Sequence, residues 1–121
     1  MRIKLTLKDS EHRFTQSQLK TLLQFIQKKD AEELILTGID SVNFLTDVVQ
    51  AAIRLHDTEC KLSIVPDDFA LNEIQKGYCK DMGIEVLSMA PDTDISIDPL
   101  GNVTGQFKGQ VSEKLIVLEE V

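Results

Sequence analysis

The sequence predicts an α/β fold, with a mainly parallel four-stranded sheet and three helices, followed by a C-terminal β-hairpin or strand extension. Strand-like and helix-like segments alternate with short connections as far as Met89, which is typical of a parallel sheet with right-handed crossovers. Residues 34–36 form an apolar run that indicates a strand buried on both faces. Beyond Met89, prolines, glycines and short alternation replace this pattern. We therefore expect an α/β domain over residues 1–89 and a β-rich extension over 90–121, packed on or beside it.

The first two elements have clear signatures. In "RIKLTL", apolar and polar residues alternate with period two, which predicts a strand of exposed or edge character. In "FTQSQLKTLLQFIQKK", Thr15 precedes Gln18 by three residues, as in a capping box. Leucine and isoleucine follow at helical spacing, and Lys28 and Lys29 lie near the C-terminal end, where the helix dipole favours them.

The next helices are predicted from apolar stripes and start signals. The second helix is expected to be capped by Asp40 or Ser41, and its single stripe comprises Leu45, Val48, Val49, Ala52 and Ile53. "CKLSIV" is the third strand and "IEVLSM" the fourth. Between them the third helix is expected to follow Pro66, with Asp67 as its cap and Gly83 at its end. Its predicted inner stripe comprises Leu71, Ile74 and Tyr78.

The C-terminal part is expected to be β-rich. Residues 98–101, "DPLG", form a good β-turn, so the flanking segments predict a small hairpin. "SEKLIVLEEV" is a further strand or a short helix. The apolar residues Ile95, Ile97, Val103 and Phe107 either cover a sheet edge or form an exposed segment suited to strand addition.

Composition excludes several classes of protein. The net charge of −7 argues against a nucleic-acid binder, which needs cations to neutralise phosphates. No apolar run approaches the roughly 20 residues of a membrane span, and the charged N-terminus is unlike a signal peptide, so a cytoplasmic location is expected. Cys60 and Cys79 fit no metal-ligand spacing, and each is interpreted as a small buried hydrophobe.

The junction between the second strand and the second helix is the main candidate site. Gly38 permits close backbone approach and a helix start follows, but no lysine follows to hold a phosphate, and Asp40 repels anions. A structural cap and a ligand site are thus both readings of this junction. His12 and His56 accompany no nucleophile-elbow sequence. The aspartates at 92, 94 and 98 lack the glycine and glutamate of a calcium loop. We expect no catalytic residue, no metal site and no cofactor.

Residues from about 3 to 89 resemble a STAS domain, the fold of bacterial anti-sigma-factor antagonists and of the cytoplasmic domains of sulfate transporters. The resemblance rests on "FTQSQLKTLLQFI" as first helix and on "LILTGIDSVNFLTDVVQAAIRL" as strand, turn and second helix. "CKLSIV", "DDFALNEIQKGYCKDMG" and "IEVL" then follow at the family's lengths. The tail departs from the family, which usually finishes with another helix.

The resemblance implies an aspartate and a phosphorylatable residue at the start of the second helix. Counting from residues 37–39, these positions fall on Asn43 and Phe44, which keeps the helix at its expected length and removes the phosphoacceptor. The literal "IDS" places them on Asp40 and Ser41, which makes Ser41 a candidate phosphorylation site but shortens the preceding turn.

The function expected from sequence is a non-enzymatic regulatory module that binds another protein. Its predicted contact surface is the loop and N-terminus of the second helix, with Gly38, Asp40, Ser41, Asn43 and Phe44. One alternative is an acidic immunity or inhibitor-type protein that masks a basic partner. A small-molecule or nucleotide-binding α/β domain is another, and a homodimer through the C-terminal strands remains a separate expectation.

Overall fold

The structure, a computed structural model, describes residues 1–28, 31–66, 69–105, 107–111 and 116–120, with side chains as far as residue 105. Within these residues there are three helices and eight strands, and strands and helices alternate as the sequence predicts as far as the fourth strand. The elements are β1 (Arg2–Thr6), α1 (Gln16–Lys28), β2 (Glu33–Thr37), α2 (Phe44–Leu55), β3 (Lys61–Ile64), α3 (Glu73–Met82), β4 (Glu85–Val86), β5 (Ile95–Ile97), β6 (Asn102–Gly105), β7 (Phe107–Val111) and β8 (Ile116–Glu120).

All the strands belong to one sheet in the order β4-β3-β2-β1-β5-β6-β7-β8. The neighbouring pairs from β4 to β5 are parallel, and those from β5 to β8 are antiparallel. The α/β class and the largely parallel character of the sheet are confirmed, but the predicted number of four strands is wrong. The C-terminal strands join the sheet through β5, which pairs with β1.

The predicted edge character of the first strand is also wrong, because β1 lies between β2 and β5. Its alternation has another cause. Ile3 and Leu5 are buried among the core residues, while Arg2 is exposed and Lys4 half-exposed. The sequence of this central strand has the alternation expected of an edge strand because the sheet face that carries Arg2 and Lys4 is largely polar.

The helices cover one face of the sheet. β1, β2, β3 and β4 succeed one another in the same lateral direction, and right-handed crossovers then place all three connecting helices on one side. In agreement, α1 contacts α2 and α2 contacts α3. The core lies between this helix layer and the strands, and its largest members are Phe44, Ile3, Leu5, Leu7, Leu19, Leu22, Leu23, Ile26, Leu34, Leu36 and Ile39.

Residues 87–94 return the chain to the other side of β1. Because this step runs in the opposite lateral direction, right-handedness places it on the face away from the helices. Leu87 N donates to Ile64 O at 2.8 Å and Asp94 N to Arg2 O at 3.0 Å, which fixes both ends of the segment. Ile35 is buried although it lies outside the helix-side core.

Several local predictions are confirmed. Thr15 and Gln18 form the capping box of α1, with N···O distances of 2.9 and 3.1 Å. Gly83 ends α3 in the left-handed conformation. The hairpin between β5 and β6 forms as predicted, and Gly101 N donates to Asp98 O across its turn at 2.9 Å.

The structure also decides between the alternatives left open for the C-terminal part. β8 is a strand, not a short helix. Ile95, Ile97 and Val103 are buried in the core, so they are not an exposed segment for strand addition; the side chain of Phe107 lies outside the described part of the chain. Cys79 is buried and Cys60 half-buried, and the two do not form a disulfide bond.

Two predicted helix starts are wrong. The N-cap of α2 is Asn43, not Asp40 or Ser41, because the Asp40 carboxylate instead accepts the Asn43 N–H and closes a separate turn before the helix. α3 begins at Glu73, with Asn72 and Gln75 forming its capping box; the predicted cap Asp67 lies outside the described residues. The helix therefore starts well after Pro66.

The apolar stripes also divide differently from the prediction. Val48 and Ala52 of α2 are buried, but Leu45 and Ile53 are 51% and 66% exposed. In α3 the buried residues are Gln75 and Cys79, while Ile74, predicted to face inward, is 75% exposed. Both helices thus carry large apolar side chains on their outer surfaces.

Candidate docking surface

The turn between β2 and α2 is held against the loop that follows β1. Leu7 N donates to Thr37 O at 2.9 Å, and the hydroxyls of Thr6 and Thr37 lie 2.9 Å apart. Gly38 follows with φ +66°, and a Cβ at this position would lie 2.6 Å from Lys8 O. Glycine is required there both for the left-handed backbone and for the close approach.

Asp40 organises the turn. Its carboxylate lies 2.9 Å from Lys8 Nζ and accepts the Asn43 backbone N–H at 2.6 Å and the Asn43 Nδ2–H groups at 3.0 and 3.1 Å. Desolvation raises the pKa of this carboxyl, but the contacts with Lys8 and Asn43 outweigh it and lower the pKa to about 2. Asp40 is therefore a charged structural group and a poor proton acceptor near neutral pH.

A second ion pair fixes the first turn of α2. Arg13 Nη2 donates to both carboxylate oxygens of Asp47 at 2.9 Å, and Asp47 is almost fully buried. A charge-assisted contact of this kind is strong and directional. The loop after β1 thus holds the junction at two points, through Lys8 and through Arg13.

The predicted site residues occupy different environments. Asp40 and Asn43 contact each other directly, Gly38 shapes the backbone, and Ser41 is exposed. Phe44 is fully buried and packs edge-on against Phe69, with ring centroids 6.3 Å apart. Its assignment to the contact surface therefore needs correcting: burial leaves it no surface to present, and it can only support the turn from below.

Sequence reasoning missed the large apolar side chains that are exposed at the turn and the start of α2. Val42 is 87% exposed at the tip of the turn, and Leu45 follows it in the first turn of α2. An aliphatic residue between Ser41 and Asn43 in a polar turn was the available signal. The anchors Lys8 and Arg13 were missed because they come from a distant part of the sequence.

Among the described residues, no group of three histidine, cysteine, aspartate or glutamate side chains is placed to hold a metal ion. No helix in that part of the chain is long and apolar enough to cross a membrane. Comparisons of the chain with protein-family models, with curated proteins and with solved structures found no match.

Proposed function

We propose that this protein is a non-enzymatic regulatory module that binds another protein through the turn at residues 38–43 and the N-terminal end of α2. The observation that carries the proposal is the exposure of Val42 and Leu45. The backbone beneath these side chains is fixed by the Asn43–Asp40 hydrogen bond and the Arg13–Asp47 ion pair. Apolar side chains on a pre-organised surface lose little conformational entropy when a partner covers them.

Affinity capture from the native cell, with captured proteins quantified by mass spectrometry, tests this proposal. The variant carrying Val42→Asp and Leu45→Asp should lose the partner by at least about tenfold, because it places two charges in the centre of the contact. Leu100→Asp is the matched control, since Leu100 is 54% exposed but lies in the β5–β6 turn. Equal capture by all three proteins would reject the surface.

Ser41 offers a route to regulation of the same surface. The side chain is exposed beside Asp40, and phosphorylation would add nearly two negative charges close to the start of α2. Ser41→Glu should weaken partner capture, whereas Ser41→Ala should preserve it. Undiminished capture by Ser41→Glu would count against contact at the turn.

An acidic inhibitor-type protein that masks a basic partner is the second candidate, favoured by the net charge of −7. In that case binding would depend mainly on long-range attraction and weaken strongly with added salt. The Val42→Asp and Leu45→Asp substitutions would then strengthen capture instead of reducing it.

A further inference from the structure

A cavity of about 210 Å³ lies at the edge of the parallel sheet opposite to the docking turn. The turn at residues 38–43 follows the C-terminal end of β2, whereas residues 60–62 and 82–84, at the N-terminal ends of β3 and β4, line the cavity. Because β2, β3 and β4 are parallel, these two places are at opposite edges of the sheet. We call it the basal cavity, and its apolar lining includes Ala52, Leu55, Leu62 and Ile84.

The basal cavity is also lined by three residues whose side chains bind soft metal ions. His56 follows the last residue of α2, Cys60 directly precedes β3, and Met82 is the last residue of α3. The chain has only two histidines, two cysteines and three methionines, so one of each in a single cavity is not a result of their abundance. Thiolate and thioether sulfur select Cu⁺, and imidazole also suits copper.

Cys60 is held in place by the short connection between α2 and β3. Thr58 Oγ1 donates to Leu55 O at 2.8 Å and accepts the Cys60 backbone N–H at 3.2 Å. The Cys60 side chain packs against the core, which places it on the helix side of the sheet. Its position beneath the end of α2 is therefore fixed by the backbone.

The other two side chains have the freedom to move toward an ion at the thiol. Met82 is 37% exposed and the side chain of His56 is 69% exposed. Methionine is unbranched and has three rotatable bonds, so its sulfur adapts to irregular surroundings. One fixed donor and two adjustable donors thus surround the same cavity.

The charge around the basal cavity favours a cation. Both α2 and α3 end at the cavity, and the C-terminal end of a helix carries partial negative charge. Asp57 and Glu59 are exposed in the connection before the thiol. Lys61 also lines the cavity, but its ammonium group pairs with the carboxylates of Glu33 and Glu85, which compensate its charge.

The set of donors distinguishes between metals. In the described part of the chain, histidine, cysteine, aspartate and glutamate do not form a group of three that is placed to hold a metal ion, whereas zinc usually takes four such ligands. Hard cations such as Ca²⁺ need several oxygen ligands. A thioether as the third donor favours Cu⁺, which is soft and accepts fewer ligands.

We propose that the basal cavity binds one Cu⁺ ion through the sulfur atoms of Cys60 and Met82 and an imidazole nitrogen of His56. The thiol releases its proton to solvent as the copper–sulfur bond forms. Cys79 is not a ligand, because it is buried within α3 and desolvation raises the pKa of its thiol. The proposal is independent of docking at residues 38–43, which lie at the other edge of the sheet.

Titration of the reduced protein with Cu⁺ under anaerobic conditions, with ferrozine as a competing chromophoric chelator, tests the site. One equivalent of Cu⁺ should bind, and Zn²⁺ in about tenfold excess should not displace it. Cys60→Ser should weaken binding at least about a hundredfold, and Met82→Leu and His56→Gln about tenfold each.

Each donor has a matched control elsewhere in the chain. Cys79→Ala, Met89→Leu and His12→Gln replace the same residue types outside the basal cavity and should change the affinity by less than about twofold. Equal losses in Met82→Leu and Met89→Leu, or in His56→Gln and His12→Gln, would show that copper binds to exposed side chains without a defined site.

Methionine methyl signals of the wild-type protein give a second readout that does not depend on the stability of any variant. In protein labelled with ¹³C at the methionine methyl groups, one equivalent of Cu⁺ should shift the Met82 signal and leave the Met89 signal in place. An unchanged Met82 signal, full affinity in Cys60→Ser, or tighter binding of Zn²⁺ than of Cu⁺ would overturn the proposal.

Discussion

Gly38 and Gly77 show that the effect of an alanine depends on the backbone and the space around it. At Gly38, alanine would have to adopt φ +66° with its Cβ 2.6 Å from Lys8 O. We expect Gly38→Ala to destabilise the protein by about 2 kcal/mol or more. Gly77 has helical backbone and open space, so Gly77→Ala should stabilise by about 0.5–1 kcal/mol. Urea unfolding of both variants measures these differences, and a loss at Gly77 would contradict the helix geometry.

Asp40 makes stability depend on acid pH. Its pKa is lowered from 3.8 to about 2 in the folded protein, so the unfolded chain takes up the proton first as the pH falls. The contribution is fully present above about pH 4 and is lost progressively toward pH 2. For this partly exposed carboxylate, solvent screening reduces it to about 1 kcal/mol.

Unfolding curves of the wild type and Asp40→Asn at several pH values between 2 and 6 measure this contribution. The two proteins should differ most at pH 5–6, and the difference should shrink toward pH 2. Asp9, whose pKa is lowered chiefly by the Glu11 and His12 backbone N–H groups, is present in both and cancels. A difference that is independent of pH would show that the Asp40 charge is not the stabilising feature.

At the scale of single elements, α2 separates a core side from an outer side. Val48 is fully buried, whereas Ile53 is largely exposed. Val48→Ala should cost about 2 kcal/mol through lost burial and the cavity it leaves, and Ile53→Ala should change stability by less than about 0.5 kcal/mol. Thermal or urea unfolding gives both values. Comparable losses would mean that the outer surface of α2 is packed within the chain.

The capping signals explain why one helix start was predictable and another was not. In α1, Thr15 and Gln18 directly precede a regular apolar stripe. In α3, Asn72 and Gln75 form the same arrangement, but Pro66 and the acidic residues after it gave an earlier start signal. Asn72→Ala should destabilise the protein by about 1 kcal/mol, as should Thr15→Ala.

For the whole molecule, the strands after residue 89 complete the core. Ile95, Ile97 and Val103 are buried there, and burial of such side chains contributes about 1.5–3 kcal/mol each, comparable in sum with the stability of a small domain. We therefore expect residues 1–89 alone not to unfold cooperatively, whereas residues 1–105 should. Circular dichroism and urea titration of both fragments test this, and cooperative unfolding of 1–89 would establish it as an independent unit.

Local sequence patterns predicted the alternation of strands and helices because burial of one helix side and one strand face leaves a periodic signal. Strand order left no such signal. β1 alternates like an edge strand although it is central, since its polar side lies on the face away from the helices. The turn residues were found from their types, but the contacts of Lys8 and Arg13 depend on tertiary proximity. Leu45 and Ile53 face outward but follow the same periodicity as the core residues, so the sequence pattern placed them in the buried stripe.

The pairing of β1 with β5 has a consequence for biosynthesis. A ribosome releases the chain from its N-terminus, so β1 can acquire β2 as a neighbour while Ile95 has not yet been added. Until then, the edge of β1 that later pairs with β5 has unpaired N–H and C=O groups, which can pair with strands of other nascent chains. Once the segment that contains β5 has been synthesised, it can pair with β1 and cover these peptide groups.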